Sequence, residues 1–128
     1  MIAPTAESPG KGRRVLVCDD EPHILRLVEV NLQRLGYDVE TSDNGEDAIA
    51  KAEACPPDIL IVDLVLPFQD GFDVIRRVRE RADSEACTIV VLTTATEEAD
   101  VRQALEAGAN HYLTKPFDAE VFTALFAH

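Results

Sequence analysis

The stretch VLVCDDEP, from Val15 to Pro22, joins a short apolar run to three acidic residues and a proline. An apolar run of this length is typical of a parallel strand that helices cover on both faces. Proline is favoured at the first position of a helix, so a helix is predicted to begin at Pro22. Adjacent carboxylates such as Asp19 and Asp20 repel each other, and a buried strand beside them raises the cost. The junction between strand and helix therefore predicts a site for a cation.

The same alternation of apolar runs and helix-period segments continues along the chain. Glycines that stop helices follow two of the segments, Gly36 after the first and Gly108 after the fourth, and Asp118 is a good N-cap for the fifth. Five β-α units predict an α/β fold with a parallel sheet and right-handed crossovers. The predicted strands are residues 14–18, 38–42, 58–63, 87–93 and 111–114, and the predicted helices begin near residues 22, 45, 72, 97 and 119.

The helical period also predicts which side chains face the sheet, because apolar residues recur at three- and four-residue steps. Part of the apolar surface of the last helix is expected to pack on the sheet and the rest to serve a dimer or a partner. The residues of the first four helices predicted to face inward are Leu25, Val28, Leu32, Leu35, Ala48, Ile49, Ala52, Phe72, Ile75, Val78, Val101, Ala104 and Leu105, and the apolar residues of the last helix are Val121, Phe122, Leu125 and Phe126.

The chain has 128 residues, 46% hydrophobic and 28% charged, which is the composition of one globular domain. Residues 1–12 predict a flexible leader, and residues 13–128 a single domain. No apolar run reaches the roughly 20 residues that span a bilayer, so we expect a cytoplasmic protein without membrane contact. The net charge of −12 argues against direct nucleic-acid binding by this domain. Cys18, Cys55 and Cys87 are expected to be reduced thiols.

Polar residues follow four of the five predicted strands. In an open parallel sheet, ligands bind outside the carboxyl ends of the strands, where the strand order reverses. Several carboxylates there need a counter-charge, and oxygen ligands with incomplete protein coordination suit Mg²⁺, which then meets a phosphoryl oxygen. We therefore predict a cation pocket for a phosphoryl group, with a lysine and a threonine on its other oxygens. The residues at these ends are Asp19, Asp20, Glu21, Asp63, Thr93, Thr94, Lys115 and Pro116.

Four stretches together resemble one known family. They are VLVCDDEP (15–22), ILIVDLVLPFQDGFDVIRRVR (59–79), IVVLTT (89–94) and ALEAGANHYLTKPF (104–117). In this order and spacing they resemble the receiver domain of two-component response regulators, over roughly residues 13–127. The resemblance implies a flavodoxin-like, doubly wound five-stranded parallel sheet with strand order 2-1-3-4-5 and helices on both faces.

The resemblance also implies a chemical role for each residue of the pocket. Asp63 matches the phosphoacceptor, which takes a phosphoryl group from the phosphohistidine of a histidine kinase or a histidine phosphotransfer protein. Asp19, Asp20, Asp63 and the backbone carbonyl of Val65 match the ligands of Mg²⁺ or Mn²⁺. Lys115 matches the lysine that pairs with the acceptor or its phosphate. Such a domain takes part in its own phosphorylation and dephosphorylation and is not a conventional enzyme.

A conformational switch is implied as well. Thr93 matches the switch hydroxyl, and Tyr112 matches the aromatic residue whose ring turns inward when that hydroxyl moves. The bond between Lys115 and Pro116 is a candidate cis peptide bond. The output face would be the fourth helix, fifth strand and fifth helix, roughly residues 95–127, and it is also a candidate surface for a homodimer.

Other functions agree with only part of the sequence. A phosphatase of the haloacid dehalogenase type also places an aspartate at a strand end with Mg²⁺, but it needs a second aspartate two residues later, where this chain has Val65. A receiver-like module that works through constitutive contacts would not need the complete set of pocket residues present here. A nucleotide-binding flavodoxin-like protein would carry a Gly-rich loop after the first strand, where this chain has acids.

Overall fold

Five parallel strands form one sheet, and their order is the one that the family resemblance predicted. The computed structural model describes residues 12–66, 70–81, 86–94, 98–115 and 117–125. The strands are β1 (Arg14–Cys18), β2 (Asp38–Ser42), β3 (Ile59–Asp63), β4 (Thr88–Thr93) and β5 (His111–Thr114). They pair in the order β2-β1-β3-β4-β5. The strand order reverses beside β1, which places the end of β1 and the end of β3 at the binding edge of the sheet.

In the described ranges, five α-helices connect and follow the strands: α1 (Pro22–Arg34), α2 (Gly45–Ala54), α3 (Gly71–Arg79), α4 (Glu98–Ala107) and α5 (Ala119–Ala124). Helix α1 begins at Pro22 as predicted, and Gly36 follows its end with a φ of +95°. The carboxylate of Asp118 accepts a hydrogen bond from the backbone N–H of Val121, which confirms the predicted N-cap. None of the helices in the described ranges is long and apolar enough to cross a membrane.

The helices lie on both faces of the sheet, and each face has its own apolar core. Alternate residues of β1 serve the two cores, because successive side chains of a strand point to opposite faces. Val15 and Val17 pack with α1 and α5, whereas Leu16 and Cys18 pack with α2, α3 and α4. All five residues of β3 are buried. The fold is therefore a doubly wound, flavodoxin-like α/β sandwich.

The prediction that Leu105 faces the sheet is wrong, because its side chain is 45% exposed. Ala104 is the buried residue of this pair, and the next residue in a helix points about 100° further round the axis. In α1, Ile24 is buried although the period did not select it, and Leu25 is partly buried. In α5, Phe122 is fully buried as predicted. The exposed large apolar residues of α4, β5 and α5 are Leu105, Tyr112, Val121 and Leu125.

Some predictions concern residues outside the described ranges. Residues 1–11 are among them, so the predicted leader stays a prediction. The same holds for the peptide bond between Lys115 and Pro116 and for the place of Phe126 on the last helix.

The three cysteines are thiols outside any disulfide, as predicted, with Cys18 and Cys87 buried and Cys55 exposed. Burial, together with the charges of nearby carboxylates, raises the pKa of Cys18 to about 12. We expect the native protein at pH 8 to react with close to one equivalent of a thiol reagent such as DTNB, and the unfolded protein with three. The Cys55→Ser variant should lose the native reaction. A rapid second equivalent in the native protein would contradict this pattern.

Candidate functional site

The carboxyl ends of four strands bring polar side chains together at one edge of the sheet. Asp19 follows β1, Asp63 ends β3, Thr93 ends β4 and Lys115 follows β5. These four residues are buried although they are polar or charged. Such a group of buried polar side chains is costly unless its members satisfy one another or a ligand. The four residues are among those that the sequence predicted for a phosphoryl pocket.

Four carboxylates form the acidic part of this pocket. One oxygen atom from each of Asp19, Asp20, Glu21 and Asp63 lies within 4.8 Å of the others. Their surroundings differ, because Asp19 and Asp63 are buried, Glu21 is half-buried and Asp20 is exposed. The pocket therefore has a buried floor and a rim that is open to solvent.

Lys115 is the cation at the centre of the acidic group. Its Nζ lies 2.6 Å from Oδ2 of Asp19, 3.0 Å from Oδ2 of Asp63 and 3.2 Å from Oε1 of Glu21. The contacts to Asp63 and Glu21 are hydrogen bonds. The contact to Asp19 is an ion pair without hydrogen-bond geometry, so Oδ2 of Asp19 accepts no hydrogen bond within the described part of the chain. One ammonium group thus joins three carboxylates that come from two different strand ends.

The pKa values of the buried pair record this environment. Burial raises the pKa of Asp19, and the nearby Lys115 ammonium opposes that shift without cancelling it. Burial alone would lower the pKa of Lys115, but its contacts with the carboxylates of Asp19 and Asp63 hold it above its ordinary value. Lys115 is therefore charged throughout the neutral pH range.

Backbone hydrogen bonds hold the two buried carboxylates in place. Oδ1 of Asp19 accepts the N–H of Glu21 at 2.9 Å, and Oδ1 of Asp63 accepts the N–H of Val65 at 3.1 Å. The second oxygen of each carboxylate faces Lys115. Both acids are therefore fixed in orientation before any ligand arrives, which lowers the cost of binding one.

Gly71 lets α3 begin directly against the strand end that carries Asp63. Its N–H donates to the carbonyl of Leu64 at 2.9 Å. A Cβ at this position would overlap the carbonyl oxygen of Asp63 and lie 2.7 Å from Cα of Leu64. The close approach requires glycine here for steric reasons, without a positive φ.

The residues present fit a divalent cation. Four carboxylates face a single ammonium group, so the pocket has an excess of negative charge. Among the described residues, the buried Oδ2 of Asp19 has the ion pair with Lys115 but accepts no hydrogen bond, so it can also bind a metal ion. All the donors are oxygens, which Mg²⁺ and Mn²⁺ prefer, and the exposed rim leaves room for water and a phosphoryl group.

The remaining predicted residues lie as follows. Thr93 is buried at the pocket, whereas its neighbour Thr94 is exposed. Tyr112 lies in β5 with 48% of its surface exposed. The side chain of Val65 is exposed beside Asp63. The sequence predicts that Glu21 lies at this edge but indicates no role for it. Its contact with Lys115 joins residues 94 positions apart, which no local pattern could reveal.

The fold and the site together define a class of protein. It is a doubly wound α/β domain with an acidic cation pocket and a buried lysine at its binding edge. The family model of the response regulator receiver domain matches residues 15–127. The chain therefore belongs to the response regulator receiver domain family of two-component systems.

Individual relatives support this family assignment. The alkaline phosphatase synthesis transcriptional regulatory protein PhoP of Bacillus subtilis is 43% identical over 105 residues, which is 82% of this chain and 43% of PhoP. The chain thus spans less than half the length of this relative. The structure of the chemotaxis response regulator CheY4 of Vibrio cholerae superposes with a TM-score of 0.81 at 35% identity, over 88% of this chain and 92% of CheY4.

A second similar structure contains a metal ion. It is the receiver domain of the sensor histidine kinase PA1611 from Pseudomonas aeruginosa PAO1, with a magnesium ion coordinated in its active site cleft. Its TM-score is 0.80 at 30% identity, over 90% of this chain and 94% of that domain.

Proposed function

We propose that this domain accepts a phosphoryl group on Asp63, in a reaction that depends on Mg²⁺ or Mn²⁺, from a partner histidine kinase or histidine phosphotransfer protein. The observation that carries the proposal is the contact of Lys115 with Asp63 at 3.0 Å inside a group of four carboxylates. A nucleophilic carboxylate, a buried cation and an oxygen-lined metal site are the parts that phosphoryl transfer needs.

Each residue then has a defined part in the reaction. An oxygen of Asp63 forms a bond to phosphorus while the bond from phosphorus to the imidazole nitrogen of the donor breaks. Lys115 and the hydroxyl of Thr93 hold the phosphoryl oxygens, by charge and by hydrogen bonding. Asp19, Asp20, Asp63 and the backbone carbonyl of Val65 would hold the metal ion. The ion, when bound, neutralises charge on the phosphoryl group and on the carboxylates around it.

The expected output is a change in the surface of α4, β5 and α5. Phosphorylation adds about two negative charges beside Thr93, enough to draw its hydroxyl inward and bias a two-state loop. Tyr112 is the aromatic residue we expect to turn inward in response, and its present 48% exposure leaves room for that movement. The exposed apolar residues of this surface, among them Leu105 and Val121, would serve a partner or a homodimer.

The broader setting follows from the relatives. PhoP is a transcriptional regulatory protein, so we propose that the signal received here controls transcription through a part of a longer protein. With a net charge of −12, this domain would not bind nucleic acid itself. We propose that it works in the cytoplasm, away from the membrane, and that it has no conventional enzymatic turnover.

The decisive experiment is incubation with Mg²⁺ and acetyl phosphate, read by intact-protein mass. We expect one added phosphoryl group in the wild type and none in Asp63→Asn or in wild type with EDTA. Asp38→Asn is the matched control, because Asp38 is an exposed aspartate at the opposite end of the sheet, and it should keep the adduct. If the wild type gained no phosphoryl group and also failed to bind beryllofluoride, a module with constitutive contacts would be the better conclusion.

A further inference from the structure

Within the described part of the chain, Lys115 has as many carboxylate oxygens around it as it has N–H groups. An ammonium group has three N–H donors, and its neighbours are Oδ2 of Asp19, Oδ2 of Asp63 and Oε1 of Glu21, at 2.6, 3.0 and 3.2 Å. A phosphoryl oxygen that is to be held by Lys115 therefore competes with these three oxygens for the ammonium group. The structure indicates which of them costs least to release.

Asp19 and Asp63 are poor candidates for release. Both carboxylates are buried, and each has its other oxygen fixed by a backbone N–H. A buried carboxylate that loses its cation pays a large desolvation cost. Asp63 must in addition stay beside Lys115, because the phosphoryl group is to be attached to it.

Glu21 differs from them in each respect. Its side chain is 43% exposed, and its contact with Lys115 is the longest of the three. Its other oxygen, Oε2, lies 3.4 Å from Nε2 of His23, outside the buried part of the pocket. Water can solvate the carboxylate of Glu21 as soon as it leaves Lys115, so its release costs little.

The side chain of Glu21 is not needed to cap helix α1. Glu21 is the N-cap residue of α1, yet its side chain makes no capping hydrogen bond. The helix is started instead by Pro22 at its first position. The carboxylate of Glu21 therefore contacts Lys115 and does not cap the helix.

We propose that Glu21 is the exchangeable partner of Lys115: it occupies the ammonium group in the unphosphorylated protein and yields its place to an oxygen of the phosphoryl group. Glu21 is thus a positioning residue that opposes phosphorylation, because the incoming anion must compete with its carboxylate. The inference rests on the proposed function and assigns a residue to the resting state of the same site.

The test uses beryllofluoride as a phosphoryl analogue and isothermal titration calorimetry at saturating Mg²⁺. Glu21→Gln removes the competing charge, so we expect it to bind beryllofluoride roughly three- to tenfold more tightly than the wild type, the range for one charge at a half-exposed site. Glu53→Gln removes the same charge from an exposed residue of α2 and should match the wild type. The Mg²⁺ affinity of Glu21→Gln, measured without beryllofluoride, should be unchanged or weaker, because an anion near the metal site is lost.

The outcomes separate this inference from the proposed function. Tighter beryllofluoride binding in Glu21→Gln alone, without tighter Mg²⁺ binding, supports the exchange. Equal or weaker binding in Glu21→Gln overturns it, and so does an equal gain in Glu53→Gln or a parallel gain in Mg²⁺ affinity. A wild-type protein that binds no beryllofluoride would refute the proposed function itself, and the exchange with it.

Discussion

Replacing Lys115 with methionine is expected to lower the free energy of unfolding by about 3–5 kcal/mol in the absence of divalent cations, the usual cost of removing one partner from a buried ion pair. Lys115 is buried and contacts Asp19 and Asp63 through its Nζ. Without it, two buried carboxylates face each other with no cation. Methionine keeps a flexible apolar stem of similar length. The loss of stability therefore measures the removal of the charge more than a change in packing. The measurement is urea unfolding at 25 °C in EDTA.

Mg²⁺ should restore part of this stability. A ligand that binds only the folded protein raises the free energy of unfolding in proportion to the logarithm of its concentration over Kd. Because the metal supplies the charge that Lys115→Met lacks, the gain on adding millimolar Mg²⁺ should be larger in the variant than in the wild type. An equal gain in both proteins would indicate that Lys115 and the metal do not share the carboxylates.

The difference in unfolding free energy between the wild type and Lys115→Met should depend on pH. The folded-state pKa of Lys115 is raised, so its contribution is fully present below its ordinary pKa of 10.5 and is lost only as the pH rises beyond that value. The pKa of Asp19 is also raised, mainly by burial, so protonation of Asp19 at acidic pH removes the unpaired charge. The stability difference should therefore be widest at neutral pH and narrow on both sides.

Lys51→Met is the matched control. Lys51 also pairs with an aspartate, Asp47, at 3.0 Å, but both side chains are at least one-third exposed. Exposed ion pairs contribute about 0–1 kcal/mol, so this variant should lose little stability and respond normally to Mg²⁺. A loss as large as that of Lys115→Met would mean that burial is not the reason for the effect.

Gly71→Ala is expected to damage both the stability and the chemistry of the site. The new Cβ would overlap the carbonyl oxygen of Asp63 and crowd Cα of Leu64, both of which are backbone atoms that cannot rotate away. Forced repacking of this kind costs about 1–3 kcal/mol. The repacking would move the backbone of Asp63, the proposed phosphoacceptor. A displacement of a reacting group by about 1 Å can slow a reaction about 100-fold. We expect a 10- to 100-fold slower phosphorylation by acetyl phosphate.

Gly108→Ala separates stability from chemistry. Gly108 has a φ of +122°, and a Cβ there would lie 2.7 Å from Cγ of Arg79, so this variant should also be destabilised. It precedes β5 at the edge of the sheet opposite the pocket, so its phosphorylation rate per folded molecule should equal that of the wild type. Phosphorylation of Gly71→Ala at the wild-type rate would show that the loop can shift without moving Asp63.

Much of the fold could be predicted from local patterns, and the exceptions have physical reasons. The apolar run of β3 and the N-cap Asp118 depend on a few neighbouring residues, and both are observed. Leu105 was predicted to be buried and is exposed, because hydrophobicity alone does not say which of two adjacent apolar residues faces the sheet. Ala104 occupies the buried position and packs in the core on that face of the sheet.

The sequence by itself determined which residues stand at the binding edge, because the ends of parallel strands meet at one edge whatever the strand order. That is why Asp19, Asp63 and Lys115 could be named as a group. Only the tertiary structure decided their distances, their burial and their partners. The contacts of Lys115 with Asp63 and Glu21 span 52 and 94 positions in the chain. Such contacts arise from the order β2-β1-β3-β4-β5 and the packing of α1, which no local stretch of sequence contains.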